Sequence, residues 1–156
     1  MSKFNLEIND NFYLQTICSS FNDISLKDVE SECEQLKYLW KGKHKKLFKL
    51  LNIIVPKTCL VVRPDESDRI IDTLLTSGGE LYIPITNLIH IIMKKNMCLH
   101  NCINLFKLKR IKSIQLGYAL TYNKFWCQHA WGIDINTNNI VETTDPMLGY
   151  LFVCNL

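Results

Sequence analysis

Long apolar runs are missing from this sequence of 156 residues. The longest uncharged apolar runs are LLNIIV at 50–55 and LIHIIM at 88–93. A helix that spans a bilayer needs about 20 such residues, so we expect no transmembrane segment. Glu7 and Asp10 come before any apolar stretch has built up, which is not typical of a signal peptide.

Glycine and proline are also scarce, at six and four residues. Their scarcity excludes a collagen-like chain, a proline-rich linker and a glycine-rich filament. Apolar residues make up 47% and charged residues 21%, which is the composition of a globular protein. No composition shift marks a domain boundary. We therefore predict a single domain over 1–156, with a mainly helical part at 1–95 and a Cys helix plus antiparallel sheet at 96–156.

Acidic residues are absent from two stretches. Residues 35–60 contain seven lysines and no acid, and residues 81–133 contain seven basic residues and no acid. A solvated basic face explains this distribution, and so does a surface that attracts an acidic protein or peptide. Nucleic acid is not favoured as a partner, because the aromatic residues of a single-strand-binding platform are not interleaved with the basic ones. We expect no membrane partner.

The seven cysteines are odd in number and spread along the chain. Without a signal peptide, this pattern indicates reduced thiols in a cytoplasmic protein rather than a disulfide framework.

Local patterns predict an α+β protein, in which N-terminal helices pack on a small C-terminal antiparallel sheet. Helical spacing and its start and stop signals predict helices at 26–40, 44–52, 65–77, 86–95 and 97–108. Runs of β-branched and aromatic residues predict strands at 58–63, 113–120, 126–134, 139–144 and 150–154, the last four as a meander. Gly42 is predicted to end the first helix.

Cys98 is the first candidate for chemistry. Asn96 is a plausible N-cap, which places Cys98 in the first turn of a helix. The positive end of the helix dipole, together with Lys94 and Lys95, would favour a nucleophilic thiolate there. The alternative is a buried cysteine that only fills space.

His129 and Glu142 are the second and third candidates. Cys127, His129 and Trp131 share one face of a predicted strand, and a histidine in this setting is either a base or a packed core residue. Glu142 lies on the next strand at an offset that suits an acid beside the imidazole. Asp134 lies five residues after His129, and this odd offset points its side chain to the opposite face of the strand. The order of cysteine, histidine and acid is the one that a cysteine hydrolase of this type needs.

Four short motifs resemble the papain-like and transglutaminase-like superfamily of cysteine hydrolases, in particular small bacterial and phage proteins. They are Cys98-x-x-Asn101-Cys102, LGYAL at 116–120, HAW at 129–131 and IVETT at 140–144. The resemblance covers about 96–145, and it departs from the family pattern at Leu99, where a histidine is usual.

The resemblance implies a papain-like core and a thiol hydrolase without a cofactor. It assigns Cys98 as the nucleophile, His129 as general base and acid, and Glu142 as the orienting acid. Asn101 and Trp131 would support the site, and Asp145 is an alternative third residue. The superfamily includes peptidases, acyltransferases, transglutaminases and glutamine deamidase effectors. The expected activity is therefore amide hydrolysis on a protein or peptide, by deamidation of glutamine or by peptide cleavage, including within a host cell.

Two other interpretations remain open. Cys98, Cys102, Cys127 and His129 could form a Cys3His zinc site if the helix packs on the histidine strand. The chain could also be a non-catalytic interaction protein that uses its basic surface.

Overall fold

The computed structural model describes residue 31 and residues 33–62, 69–82 and 87–156. Residues 33–36 are helical and lead into a short 3-10 helix, Lys37–Leu39. The α-helices that follow are α1 (Gly42–Ile54), α2 (Arg69–Ser77) and α3 (Cys98–Lys107). The strands are β1 (Cys59–Leu60), β2 (Glu80–Tyr82), β3 (Ile89–His90), β4 (Ile111–Leu120), β5 (Phe125–Asp134), β6 (Ile140–Glu142) and β7 (Gly149–Asn155). The α+β class is confirmed; the start of the first predicted helix and that of the 65–77 helix lie outside the described residues.

The sheet is larger and less regular than the predicted meander. In the described part of the chain it has seven strands, in the order β2-β7-β4-β5-β6-β3, and β1 pairs with β5 off this path. The pairs β1–β5 and β3–β6 are parallel, and the other pairs are antiparallel. The meander prediction is wrong for β7, which returns to pair with β4 rather than with β6. The part before residue 96 is also not only helical, since it contributes β1, β2 and β3.

Residues 86–95 were expected to form a helix and instead include β3. Ile89 and His90 pair with Val141 and Glu142 of β6. The pairing continues past the strand, because the Ile91 N–H donates to the Glu142 carbonyl at 2.9 Å. The isoleucines of this segment are compatible with a helix and with a strand. Pairing with the exposed edge of β6 stabilises the extended backbone.

Gly42 begins a helix instead of ending one. Lys41 is the N-cap of α1, and its N–H donates to Nδ1 of His44 at 2.9 Å. A histidine ring therefore satisfies a backbone donor at this helix start, where the usual capping side chains are missing.

One face of the sheet carries helices α1, α2 and α3. α1 and α2 pack on Tyr118, Leu120 and Trp126, whereas α3 packs on Ile114, Ala130 and Val141. Leu116 contacts both groups, so a furrow between the two helical layers lies above it. The opposite face carries a separate cluster built on Ala119, Trp131, Ile140 and Tyr150.

Two cysteines are paired, which corrects the prediction of seven reduced thiols. Cys33 and Cys59 form a disulfide with their Cα atoms 5.5 Å apart. The free cysteines are Cys98, Cys102, Cys127 and Cys154 among the described residues. Within the same described ranges, no helix has the length and apolar character needed to cross a membrane.

Candidate active site

Glu142 is a fully buried carboxylate at the end of β6. Its Oε1 accepts hydrogen bonds from the Thr143 N–H, the Thr144 N–H and the Thr144 hydroxyl, each at 2.9 Å. Its Oε2 accepts one from the Tyr150 hydroxyl at 2.7 Å. A carboxylate without water needs such donors to stay charged, and this one is fixed in position by all of them.

His129 lies beside this carboxylate on β5. Its Nε2 is 2.9 Å from Oε2 and 3.1 Å from Oε1 of Glu142. The pairing of Gly132 with Val141 places Glu142 diagonally from His129 on the same sheet face. With Nε2 bound to the acid, Nδ1 is the nitrogen that remains for a second partner.

Cys98 supplies that second partner, through a hydrogen bond between its thiol and the His129 ring. It is the first residue of α3, which packs on β5. β1 pairs with the start of β5 at Phe125–Trp126 and β6 with its end at Gly132–Ile133. The helix start reaches the β5 edge between these two pairings, where the Ala130 N–H donates to Cys98 sulfur.

The electrostatics favour a charged thiolate–imidazolium pair. Burial raises the pKa of Cys98, but the hydrogen bond and charge of His129 and the N–H groups of Ala130 and Leu99 bring it below its ordinary value. Burial lowers the pKa of His129, and the contacts with Cys98 and Glu142 raise it to about 9. Burial also raises the pKa of Glu142, but His129 and the other donors hold it below its usual range.

Asn101 lies one turn after Cys98 in α3, and Trp131 lies beside His129. Asn101 is buried in α3 and donates from Nδ2 to the Lys94 carbonyl at 2.8 Å, which ties the preceding loop to the helix. Trp131 is fully buried, and its ring centroid lies 6.2 Å from that of His129. The N-cap of α3 is Met97 rather than Asn96; Asn96 takes a left-handed φ of 58°, which asparagine adopts more readily than most residues.

The two other acids lie outside the site. Asp145 is exposed and lines a separate cavity with Thr121 and Tyr122, whereas Glu142 occupies the place beside His129. Asp134 is partly exposed and accepts hydrogen bonds from the N–H groups of Asn136 and Thr137. Asp134 therefore shapes the β5–β6 turn and does not reach the imidazole, as its offset predicted.

The four residues of the alternative zinc site do not come together. In the described part of the chain, no three His, Cys, Asp or Glu side chains are grouped so that they could hold a metal ion. The Cys127 thiol points to the Ala119 carbonyl at 3.7 Å, and Cys102 is fully buried in the α3 packing. The described residues therefore do not form the alternative Cys3His cluster, in which Cys127 would have to join Cys98, Cys102 and His129.

A cavity of about 720 Å³ opens onto Cys98 and His129. It lies in the furrow between the helical layers, with Ile70 and Thr73 of α2 on one wall and Leu116 on the floor. The side-chain amides of Asn96 and Gln128 also line it. The thiol and the imidazole are thus accessible to a substrate, whereas Glu142 lies behind them without solvent contact.

Sequence reasoning missed two residues of this site, Tyr150 and Thr144. Tyr150 lies on β7, two strands away from β5, so only the returning path of β7 places it near Glu142. Thr144 belongs to the IVETT motif, and its position two residues after the acid was the one available signal.

The alkylation of Cys98 tests this electrostatic picture. Because its pKa lies below the ordinary value, a larger fraction of Cys98 is thiolate at pH 6 than in a free thiol. We expect iodoacetamide to label Cys98 ahead of Cys102, Cys127 and Cys154, and faster than N-acetylcysteine by about threefold for each unit of lowering. Cys102 should be the slowest, since burial raises its pKa to about 12. Equal rates at all four sites, measured by peptide mass spectrometry, would contradict an activated thiol.

No family model, curated protein or solved structure matches this chain. The geometry of the site is therefore what supports a function.

Proposed function

We propose that the protein is a cysteine-dependent amide hydrolase with a papain-like core, acting through an acyl-enzyme intermediate. One observation carries the proposal. The Cys98 thiol is hydrogen-bonded to one ring nitrogen of His129, and the other ring nitrogen is hydrogen-bonded to the buried Glu142. The thiol also lines a cavity. A nucleophile, a base and a group that orients the base are the parts that covalent acyl transfer requires.

The chemistry divides into two balanced steps. In acylation, the Cys98 thiolate attacks the amide carbonyl carbon, and the imidazolium of His129 gives its proton to the leaving nitrogen, so ammonia or an amine departs. In deacylation, neutral His129 takes a proton from water, hydroxide attacks the thioester, and the acid product leaves with Cys98 restored as thiolate. Glu142 stabilises the charged imidazolium in each half of the cycle.

The tetrahedral intermediates carry an oxyanion that needs donors. The Cys98 N–H is among the first N–H groups of α3, which have no acceptor within the helix, and Cys98 lines the cavity. Asn96, Gln128 and Asn155 line the same cavity, and a side-chain amide from one of them could complete this oxyanion hole. Glutamine deamidation and peptide cleavage are both compatible with this arrangement, because they differ in the leaving group and not in these steps.

Trapping of the acyl-enzyme tests the proposal without a known substrate. Wild-type protein and Cys98→Ala are incubated with a denatured protein mixture and quenched in acid. We expect thioester-linked adducts on Cys98, together with released ammonia for deamidation or new N-termini for cleavage. Cys154→Ala is the matched control, since Cys154 lines the same cavity and should leave both products unchanged. Absence of adducts and products across several protein mixtures would reject the hydrolase.

A second function is supported by the exposed lysines of α1. Lys45, Lys46 and Lys49 point to solvent on one face of the helix, whereas Lys43 is 3.0 Å from Asp72. This face suits an acidic protein surface, either as a docking site for the substrate or as the whole activity of a non-catalytic protein. The non-catalytic version is supported if an acidic protein binds Cys98→Ala but not a triple Lys→Glu variant of this face, and if the wild type forms no adducts.

We propose a cytoplasmic location because the nucleophile must stay reduced. The Cys33–Cys59 disulfide is a feature more common in oxidising compartments. Counting free thiols in protein taken from acid-quenched cells resolves this. Seven free thiols would agree with a reducing compartment, and five would show that the bond is present in the cell.

A further inference from the structure

Tyr150 makes a contact that the proposed function does not account for. Its hydroxyl donates to Glu142 Oε2 at 2.7 Å, and its side chain is fully buried. Tyr150 pairs with Ala119 of β4, and β5 lies between β4 and β6. The ring therefore extends across the sheet face from β7 to reach an acid on β6.

The LGYAL motif explains how the ring can lie in this position. Gly117 and Ala119 are the small residues of that motif on the face that carries His129, and both leave space above β4. A Cβ atom at Gly117 would lie 3.1 Å from the Trp131 ring and 1.9 Å from the Leu151 carbonyl oxygen. Trp131 then packs edge-on against Tyr150 with the centroids 5.0 Å apart. The aromatic pair is held by packing and does not depend on the hydroxyl.

The two oxygens of Glu142 have different partners. Oε1 is held by the adjacent Thr143 and Thr144, whose position is fixed by the chain itself. Oε2 is the oxygen nearest His129, and Tyr150 is its other donor among the described residues. Removing the Tyr150 hydroxyl would therefore leave the catalytically important oxygen with the imidazole alone.

We propose that Tyr150 is a positioning residue, which holds Glu142 Oε2 toward His129 and thereby favours the thiolate–imidazolium pair. The effect is transmitted from Tyr150 to Glu142, then to His129 and finally to Cys98. The inference rests on the proposed function in one respect only, namely that the thiolate–imidazolium pair serves catalysis.

Two other titratable groups lie near this chain of contacts. Cys102 of α3 interacts with both Cys98 and Glu142, and burial keeps it protonated. On β3, a ring nitrogen of His90 contacts the Thr144 carbonyl at the surface. Neither group lies between Tyr150 and His129, so the pH dependence of Cys98 should report on the Tyr150 contact.

The test is the pH profile of Cys98 alkylation by iodoacetamide in Tyr150→Phe. We expect the midpoint to move up by about half a unit to one unit, because the carboxylate loses one charge-assisted hydrogen bond and gains freedom to turn. Tyr82→Phe is the matched control. Tyr82 belongs to the same aromatic cluster, but its hydroxyl interacts with Glu80, so its loss should leave the midpoint unchanged.

A second variant keeps the inference testable if Tyr150→Phe folds poorly. Site-specific 3-fluorotyrosine at position 150 is a stronger donor and should move the midpoint down, opposite to phenylalanine. A purely structural role would not reverse the direction of the shift. Superimposable profiles for wild type and Tyr150→Phe, or equal shifts in Tyr82→Phe, would overturn the inference. Neither result would affect the acyl-enzyme test, which depends on Cys98 itself.

Discussion

Replacing Cys98 with alanine should reduce kcat by about 10⁴- to 10⁶-fold, the range found when the nucleophile of a covalent hydrolase is removed. Within α3, all of which the structure describes, no other nucleophile can take its place. Cys102 lies one turn further along α3, but it is fully buried and burial raises its pKa to about 12. The loss should appear equally in kcat and kcat/KM, because the interaction that is removed exists only along the reaction path.

The stability of this variant should change little, since Cys98 is half-buried and sits at a helix end. We expect the free energy of unfolding to stay within about 1 kcal/mol of wild type in urea titrations. Turnover that persists in Cys98→Ala, with the variant folded, would show that the hydrolysis occurs elsewhere or that a contaminant causes it. The Cys154→Ala control should retain wild-type turnover.

The local parts of the site were predictable from sequence because they depend on short-range patterns. Apolar spacing located α3, and the side-chain alternation of a strand placed Glu142 on the face of His129. The start of α3 was predicted one residue early, since Asn96 was assumed to cap the helix with its side chain. Its left-handed backbone serves instead to turn the chain into Met97.

The remaining parts depend on contacts between distant segments, which composition and spacing do not encode. β3 has a sequence that suits helix and strand alike, and only the free edge of β6 selects the strand. Similarly, the strand 149–155 has the same pattern whichever neighbour it joins. Its pairing with β4 is what brings Tyr150 over Ala119 and toward Glu142. The Gly117 and Ala119 positions of the LGYAL motif acquire a physical meaning only after that pairing is known.

Glu142→Gln should lower kcat by about 10³- to 10⁴-fold while the chain stays folded, as expected when a histidine loses its orienting carboxylate. The Thr143 and Thr144 donors act on Oε1, so the glutamine carbonyl oxygen must take that position. The amide NH2 group then occupies the place of Oε2, where it faces His129 Nε2. Since the NH2 group only donates, Nε2 must become the acceptor and lose its proton.

This switch moves the proton of neutral His129 to Nδ1, the nitrogen that should receive the proton of Cys98. Nδ1 therefore already carries a proton and cannot accept the one from Cys98. The imidazolium that forms later has no carboxylate to stabilise it. The buried Tyr150 hydroxyl loses the acceptor that Oε2 provides, so we expect a loss of about 1–3 kcal/mol in the free energy of unfolding. Asp134→Asn should leave turnover nearly unchanged, because Asp134 is bound to the β5–β6 turn and does not contact His129.

The ring nitrogens of His129 give the sharpest measurement, since ¹⁵N chemical shifts distinguish the two neutral tautomers and the imidazolium. In wild type we expect imidazolium at neutral pH, because the contacts with Cys98 and Glu142 raise its pKa to about 9, and deprotonation only as the pH rises through that value. In Glu142→Gln the imidazole should be neutral at pH 7, with its proton on Nδ1. A variant that keeps the imidazolium and near-wild-type turnover would show that Glu142 does not orient the base, and it would remove the acid from the proposed mechanism while leaving Cys98 and His129 in place.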